Sequence, residues 1–501
     1  MKYILPTAIS FALLIFSPLA PLKAQKDGYE IKVNLENFNS DTLFFGYHFG
    51  SKQYIKDTVA IDPTTKEFVF KGDESLDCGI YLVIMPPDNN YFQLLIDDNE
   101  QHFSVKTDAL NPVKAMKVKD SKENKLFYEY MNFLSLQGPK AQEINEKIKT
   151  AKDKKEDSAA LEQSLKDINT DVVAYQKGII SKSDGLTSRI IKASMEIDVP
   201  EFGTDEESKK NRYYYIKKHW FDNIDLSDPC LLRSSVLQKK IDGYFKNLTP
   251  KHPDSIAISL DRVLKLAEPN EETYKYLLIK YLSEYAKSKI VGMDKVYVHL
   301  VKNYYKKGKA PWTDEEQLAK IIDDAEKLEP ILIGKQAPEI SIPELDIDST
   351  LAVMKEENEH KRFKLKEKVA LYDIDSLYTI VYIWSPDCGH CKKAMPKMIE
   401  VYDKYKDKGV ALYAICHRTY KDTPTCAEYI KNEEPGMLEW LNLNDPYFRS
   451  KYNVLYNVKS TPQLYILDHK KEIIMKRVGA DQLGEVLEEI IANDKLKEQN
   501  K

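Results

Sequence analysis

Between residues 25 and 110, apolar side chains recur at every second position. The runs are Tyr29, Ile31, Val33 and Leu35, then Phe68 and Phe70, Ile80, Leu82 and Ile84, Phe92, Leu94 and Ile96, and Phe103 and Val105. Period two is the mark of strands with one buried face. Asp62-Pro63, Lys71-Gly72-Asp73 and Pro86-Pro87-Asp88-Asn89 separate the runs with turn chemistry. A small antiparallel, sandwich-like β domain is expected here. His102 stands alone in its strand with no catalytic spacing around it and reads as a surface or core residue.

From residue 119 to 330 the period changes. Proline and glycine thin out, and apolar residues fall at helical spacing. Leu161, Leu165, Ile168 and Val172 form one stripe, and Ile256, Leu260, Val263 and Leu264 form another, opened by Pro253. Tyr274, Leu277, Leu278, Tyr281, Leu282 and Tyr285 form a third, with Asn270 placed as a cap. Stacked helical hairpins are expected. The charged stretch 140–166 reads as a solvated helix face. The tyrosines read as packing, or alternatively as the wall of a peptide-holding groove, since they give large contact area at low entropic cost.

The last third alternates strand and helix periods. An apolar strand, Tyr378 to Trp384, runs into WSPDCGHCKKAMP, where Cys388, Gly389, His390 and Cys391 open a helix that carries Pro396. Two thiols three positions apart at a helix start can close a disulfide within one turn. The helix N-terminus favours negative charge, so the first thiol can ionise near neutral pH and act as a nucleophile. A strand–CxxC–helix unit in a βαβ pattern is a redox signature. Strands Leu464–Leu467 and Glu472–Arg477 follow, with a turn at Asp468-His469. A final helix then carries the stripe Leu483, Val486, Leu487, Ile490 and Ile491.

These residues resemble the thioredoxin superfamily, in particular its extracytoplasmic TlpA- and ResA-like members, over about residues 331–495. The resemblance rests on Trp384 four positions before Cys388, Pro396 five after Cys391, and Thr461-Pro462 in NVKSTPQLYILD. It implies that Cys388 attacks a substrate disulfide, Cys391 resolves the mixed disulfide, and Pro462 is cis and shapes the groove with Thr461. Trp384, Gly389 and His390 support the site. A positive His390 would stabilise the Cys388 thiolate. The CGHC motif is the one isomerases carry, so the potential is expected nearer theirs, about −180 mV, than thioredoxin's, about −270 mV. Ile333 to Pro338 resembles the entry segment of TlpA-like and peroxiredoxin-like thioredoxins, and a charged, loop-like insertion is expected between Asp346 and Lys368. The run from His219-Trp220-Phe221 to Trp312 resembles a helical domain of unknown function that precedes such modules, and the β domain resembles modules that open them. The chain departs from the family at two places: Tyr382 and Ala394 stand where relatives keep a buried aspartate or a glutamate. The proton acceptor for Cys391 is therefore unassigned. Asp387, beside Cys388, would oppose its thiolate.

Other readings of the cysteines stay open. Cys416-His417 could complete a zinc site with the CxxC. The CxxC could be a structural disulfide, although such loops exchange readily. Ser385 sits where a peroxide-reducing site needs a hydroxyl, but the proline spacing and the close second cysteine argue against that chemistry. Cys416 and Cys426 are expected to form a local disulfide or to be a second exchange partner. Cys78 and Cys230 are expected to be isolated buried thiols.

Composition adds the compartment. Residues 1–24, MKYILPTAISFALLIFSPLAPLKA, read as a signal peptide cleaved before Gln25, with an uncleaved anchor as the alternative. Losing Lys2 and Lys23 takes the net charge from −5 to −7, with signs interspersed, so no nucleic-acid surface is implied. At 501 residues about three domains are expected: a β-rich domain at 25–118, a helical domain at 119–330 and a thioredoxin-like α/β domain at 331–501. The expected function is thiol–disulfide exchange in the periplasm or another extracytoplasmic space. The partners would be envelope proteins with disulfides or thiols and an unidentified redox partner. No cofactor, no metal and no lasting membrane insertion are expected. The alternative is a non-enzymatic scaffold that uses the thioredoxin-like domain for partner recognition.

Overall fold

A computed structural model describes residues 28–354 and 365–499. The expected signal peptide and residues 355–364 of the expected insertion lie outside the described residues. The chain forms two compact units, one ending at Leu248 and the other beginning at Thr249, so the helical region contributes to both.

The first unit opens with strands β1 (Tyr29–Glu36), β2 (Thr42–Phe49), β3 (Lys52–Ala60), β4 (Phe68–Gly72), β5 (Gly79–Met85), β6 (Asn90–Ile96), β7 (His102–Asp108) and β8 (Lys117–Lys119). They form two four-stranded sheets, ordered β4-β1-β7-β8 and β3-β2-β5-β6. All pairings are antiparallel except β1 with β7, which run parallel. Their inner faces meet at Phe45, which stacks on Phe70 of the other sheet at 4.6 Å. The helix Lys122–Asp153 is tied to β6 by Asn124, which accepts from the Leu95 amide (2.8 Å) and donates to its carbonyl (2.7 Å).

Cys78 and Cys230 form a disulfide with Cα atoms 4.8 Å apart, which corrects the expectation of isolated thiols. A separation of 152 residues hides the pair from any spacing argument. The contact is made by chain return: the Ile80 amide donates to the Arg233 carbonyl (2.8 Å). At Gly79, where φ is +153°, a Cβ would stand 2.4 Å from that of Arg233.

The second unit begins with the helices Pro253–Ala267 and Glu271–Ala286. Pro253 stands in the first turn, and Asn270 caps the second helix by accepting from the Thr273 amide at 2.9 Å. Its seven-stranded sheet uses β9 (Ser341–Leu345), β10 (Leu365–Ala370), β11 (Tyr378–Trp384), β12 (Val410–Cys416), β13 (Leu441–Leu443), β14 (Gln463–Asp468) and β15 (Ile473–Lys476), in the order β10-β9-β13-β12-β11-β14-β15. β11 lies parallel to β12 and antiparallel to β14, and all seven of its residues are buried. A strand covered on both faces must be apolar throughout, which is how YTIVYIW reads. The expected insertion is not all loop. The helix Ile347–Met354 starts where Asp346 accepts from the Ser349 amide (2.9 Å), its Ile347 and Leu351 pack on the core, and β10 follows.

A buried ion pair joins the helical part of this unit to its sheet. Lys476 on β15 donates to Asp294 (2.5 Å) and to the Ile331 carbonyl (2.6 Å). Lys459, just before the Thr461-Pro462 turn, pairs with Asp324 at 2.6 Å. Among the described residues no helix is long and apolar enough to cross a membrane.

Candidate active site

β11, an interior strand, ends at Trp384, and the helix Gly389–Tyr405 begins five residues later with Cys388 as its N-cap. Cys388 Sγ accepts the Cys391 amide at 3.4 Å, a sulfur in place of the usual capping oxygen. The Thr461-Pro462 bond is cis, and the Thr461 carbonyl lies 3.2 Å from Cys388 Sγ. Gly389 and His390 form the exposed first turn. Cys391 is fully buried, and Cys388 is partly exposed. Both are free thiols.

The two thiols differ in acidity. Burial pushes Cys388 up, but contacts from the Cys391 and Thr461 side chains and from the Cys391 and His390 amides outweigh it, and the net direction is down. Burial pushes Cys391 up to about 12, reinforced by its contact with Cys388. Of the two, the outer sulfur is the more readily ionised.

Asp387 does not stand as a bare charge against that thiolate. It forms an ion pair with Arg418 and accepts from the Ser385 hydroxyl at 2.8 Å. Arg418 lies 31 residues further on, and the parallel pairing of β11 with β12, Trp384 opposite Cys416, brings it to the site. Ser385 is thus occupied as a donor to Asp387.

Cys416 and Cys426 form a buried disulfide with Cα atoms 6.4 Å apart. His417 faces Tyr452, with Nδ1 2.7 Å from its hydroxyl. Cys416 and His417 are therefore engaged away from the CxxC, against the zinc reading. Tyr382, which follows the strand alternation onto the same face as Trp384, shares a core with Cys391, Met395 and Trp440. Its hydroxyl is buried with no hydrogen-bond partner among the described residues.

A β–α–β…β–β–α domain with a CxxC at the helix start and a cis-proline against the outer sulfur is a thioredoxin-like protein. Comparison with known proteins agrees. Residues 377–473 match the family model described as thioredoxin-like, and residues 29–127 and 139–329 match two families described only as domains of unknown function. The thiol-disulfide oxidoreductases ResA of Bacillus cereus and Bacillus anthracis are each 26% identical over 168 residues, 33% of this chain and 78% of theirs. Among solved structures, a domain of a possible thiol-disulfide isomerase from Cytophaga hutchinsonii is 30% identical, covering 33% of this chain and 96% of that one, with a TM-score of 0.26. A thioredoxin-like protein from Bacteroides caccae is 17% identical, covering 58% of this chain and 98% of that one, with a TM-score of 0.42. The C-terminal domain of this chain is thioredoxin-like and is similar to the ResA thiol-disulfide oxidoreductases.

Proposed function

We propose that this protein is an extracytoplasmic thiol–disulfide oxidoreductase that exchanges disulfides with other envelope proteins through Cys388 and Cys391. The observation that carries the reading is a free, partly exposed Cys388 at the helix N-cap, with the buried free thiol of Cys391 one turn below it and the Thr461-Pro462 turn against its sulfur. Cys388 attacks one sulfur of a substrate disulfide and releases the other as a thiolate. Cys391 gives up its proton, which the released thiolate takes, and attacks Cys388 Sγ, so the remaining substrate sulfur leaves. Two electrons pass to the substrate, and Cys388–Cys391 becomes the disulfide. Pro462 and Thr461 present backbone for an extended substrate segment, and Trp384 packs behind the dithiol.

Residues 1–24 supply the export signal in this reading. The disulfides Cys78–Cys230 and Cys416–Cys426 support an oxidising compartment, because such bonds persist there. The domains at 25–118 and 119–330 precede the catalytic one at 331–501. The test is trapping in envelope extracts: Cys391→Ser should hold protein partners in mixed disulfides that dithiothreitol releases. Cys388→Ser should trap none and should lose insulin reduction. Equal insulin reduction by Cys388→Ser would overturn the reading.

A further inference from the structure

A cavity of about 530 Å³ lies in the first unit, between the chain at Ala193–Val199 and the helices Glu206–His219 and Ser235–Leu248. Ile197, Val199, Ile216 and Val236 line it with apolar surface, and the Trp220 indole forms a fixed wall. The Trp220 Nε1 donates to the Lys240 carbonyl (2.9 Å), and its ring packs so closely on Gly243 that a Cβ there would meet it at 3.0 Å. Arg212, Lys239 and Lys240 also line the cavity against one carboxylate, Glu196, and none of the three cations forms an ion pair among the described residues. Lys240 is half-buried, with its ammonium 4.9 Å over the Trp220 ring and 3.4 Å from the Met195 carbonyl. Burial lowers its pKa. Glu196 offsets part of that cost, and with three cations facing one carboxylate the cavity leaves room for a further anion.

We propose that this cavity binds an amphipathic carboxylate, with the apolar body against Ile197, Val199, Ile216 and Val236 and the carboxylate on Arg212, Lys239 and Lys240. The volume falls in the range of small-molecule sites. That chemistry has two sources, a free aliphatic acid or the C-terminal carboxylate of a chain ending in an apolar residue. Calorimetry on the full chain separates them, with dodecanoate as one probe and a short acetylated peptide ending in Leu-Phe as the other. The uncharged counterparts, dodecanol and the peptide amide, serve as controls. At least one carboxylate should bind saturably at one site, with its neutral counterpart about tenfold weaker or worse, since a hydrogen bond to a charged group is worth about that ratio or more. The exposed double substitution Arg212→Ala with Lys239→Ala should weaken it by at least about tenfold, and Val236→Trp should fill the cavity and abolish it. Equal binding of the neutral probes, undiminished binding by the double variant, or binding of neither carboxylate would overturn the proposal.

The core beneath the dithiol carries a second inference, which rests on the exchange reading above. Tyr382 is 2% exposed, meets Trp440 edge-on at 6.4 Å and keeps its hydroxyl unpartnered in the same core as the Cys391 thiol, with which it interacts electrostatically and which must become an anion to resolve a mixed disulfide. Burial, and then the charges of Cys391 and Cys388, hold the phenol protonated, so it is a donor and not a base. We infer that the Tyr382 hydroxyl donates a hydrogen bond to Cys391 Sγ as its proton leaves for the departing substrate thiolate. Stopped-flow reaction of the reduced protein with oxidised glutathione separates attack by Cys388 from resolution by Cys391. Tyr382→Phe, which removes only an unpartnered hydroxyl, should leave attack within about twofold and slow resolution by about tenfold or more. Tyr382→His, which restores a ring donor, should recover part of that loss. Unchanged resolution in Tyr382→Phe overturns this inference alone, whereas a wild-type Cys388 that never attacks the disulfide overturns the exchange reading.

Discussion

Arg418 forms an ion pair with Asp387, the residue immediately before Cys388 in the chain. The guanidinium cancels a negative charge that would otherwise sit one residue from a forming thiolate. Arg418→Ala should therefore raise the Cys388 pKa and slow its alkylation at neutral pH by about two- to fivefold, the scale of a screened, partly exposed charge. Asp387→Asn, which leaves the guanidinium uncompensated, should leave the rate unchanged or raise it, and the double variant, which lacks both charges, should fall between the two single variants. A double variant as slow as Arg418→Ala would show that Arg418 acts by a route other than its charge against Asp387.

Asp387 also marks how far the sequence could be read. The strand YTIVYIW, the helix with its CxxC and the Thr461-Pro462 turn are local patterns whose periods and spacing carry their meaning, and they stand together in the structure. Arg418, the Cys78–Cys230 bond and the Lys476–Asp294 pair are products of chain return over 31 to 182 residues. No periodicity encodes those distances. The helix Ile347–Met354 was missed because the charged run that follows it set the reading of the whole stretch, and the short apolar segment that packs Ile347 and Leu351 on the core was read with it. Tyr382 was legible as a departure from the family pattern, but its unpartnered hydroxyl could be seen only once the core was assembled.

The two active-site thiols should titrate far apart. Cys388 is lowered from its ordinary value and Cys391 is pushed up to about 12. In the reduced protein, alkylation against pH with mass-spectrometric readout should give a Cys388 midpoint below about 8.5, the free-thiol value. Cys391 should stay unmodified through pH 9. Raising the pH increases the Cys388 thiolate fraction until that midpoint is passed, so attack should rise and then level off. A Cys388 midpoint at or above about 8.5 would mean that burial outweighs the amides.

His390 offers two separable contributions, an exposed imidazole and a backbone amide directed at Cys388. His390→Ala removes the first, while His390→Pro removes both, because proline has no N–H. Proline is tolerated in a first helical turn, so the fold should survive. Redox titration against glutathione should make both variants more reducing, with the proline variant further displaced by tens of millivolts, about 30 mV for each tenfold change in the exchange equilibrium. Equal potentials in the two variants would assign the effect to the imidazole alone.

Lys476 and Asp294 are a buried pair with one oxygen of Asp294 left unpartnered. Lys476→Met should cost the second unit about 3–5 kcal/mol, because it strands the carboxylate without its cation. Adding Asp294→Leu should restore most of that stability, since a matched apolar pair removes both desolvation costs. Denaturant melts of the three proteins measure it. A double variant as unstable as Lys476→Met would mean that packing, not charge, holds this contact.

The two structural disulfides should differ in worth by the length of chain each closes. Cys78–Cys230 spans 152 residues and Cys416–Cys426 spans 10. Loop-closure entropy gives about 5 kcal/mol for the first and about 2–3 kcal/mol for the second. Paired substitutions, Cys78→Ser with Cys230→Ser and Cys416→Ser with Cys426→Ser, avoid leaving a stray thiol. The first pair should lower the denaturation midpoint of the first unit. The second pair should lower that of the second unit by a smaller free energy. Cys388 alkylation should change in neither, because each bond acts on the unfolded chain's freedom and not on the dithiol. A Cys416/Cys426 variant that lost disulfide exchange with its fold intact would instead make that pair the second exchange partner.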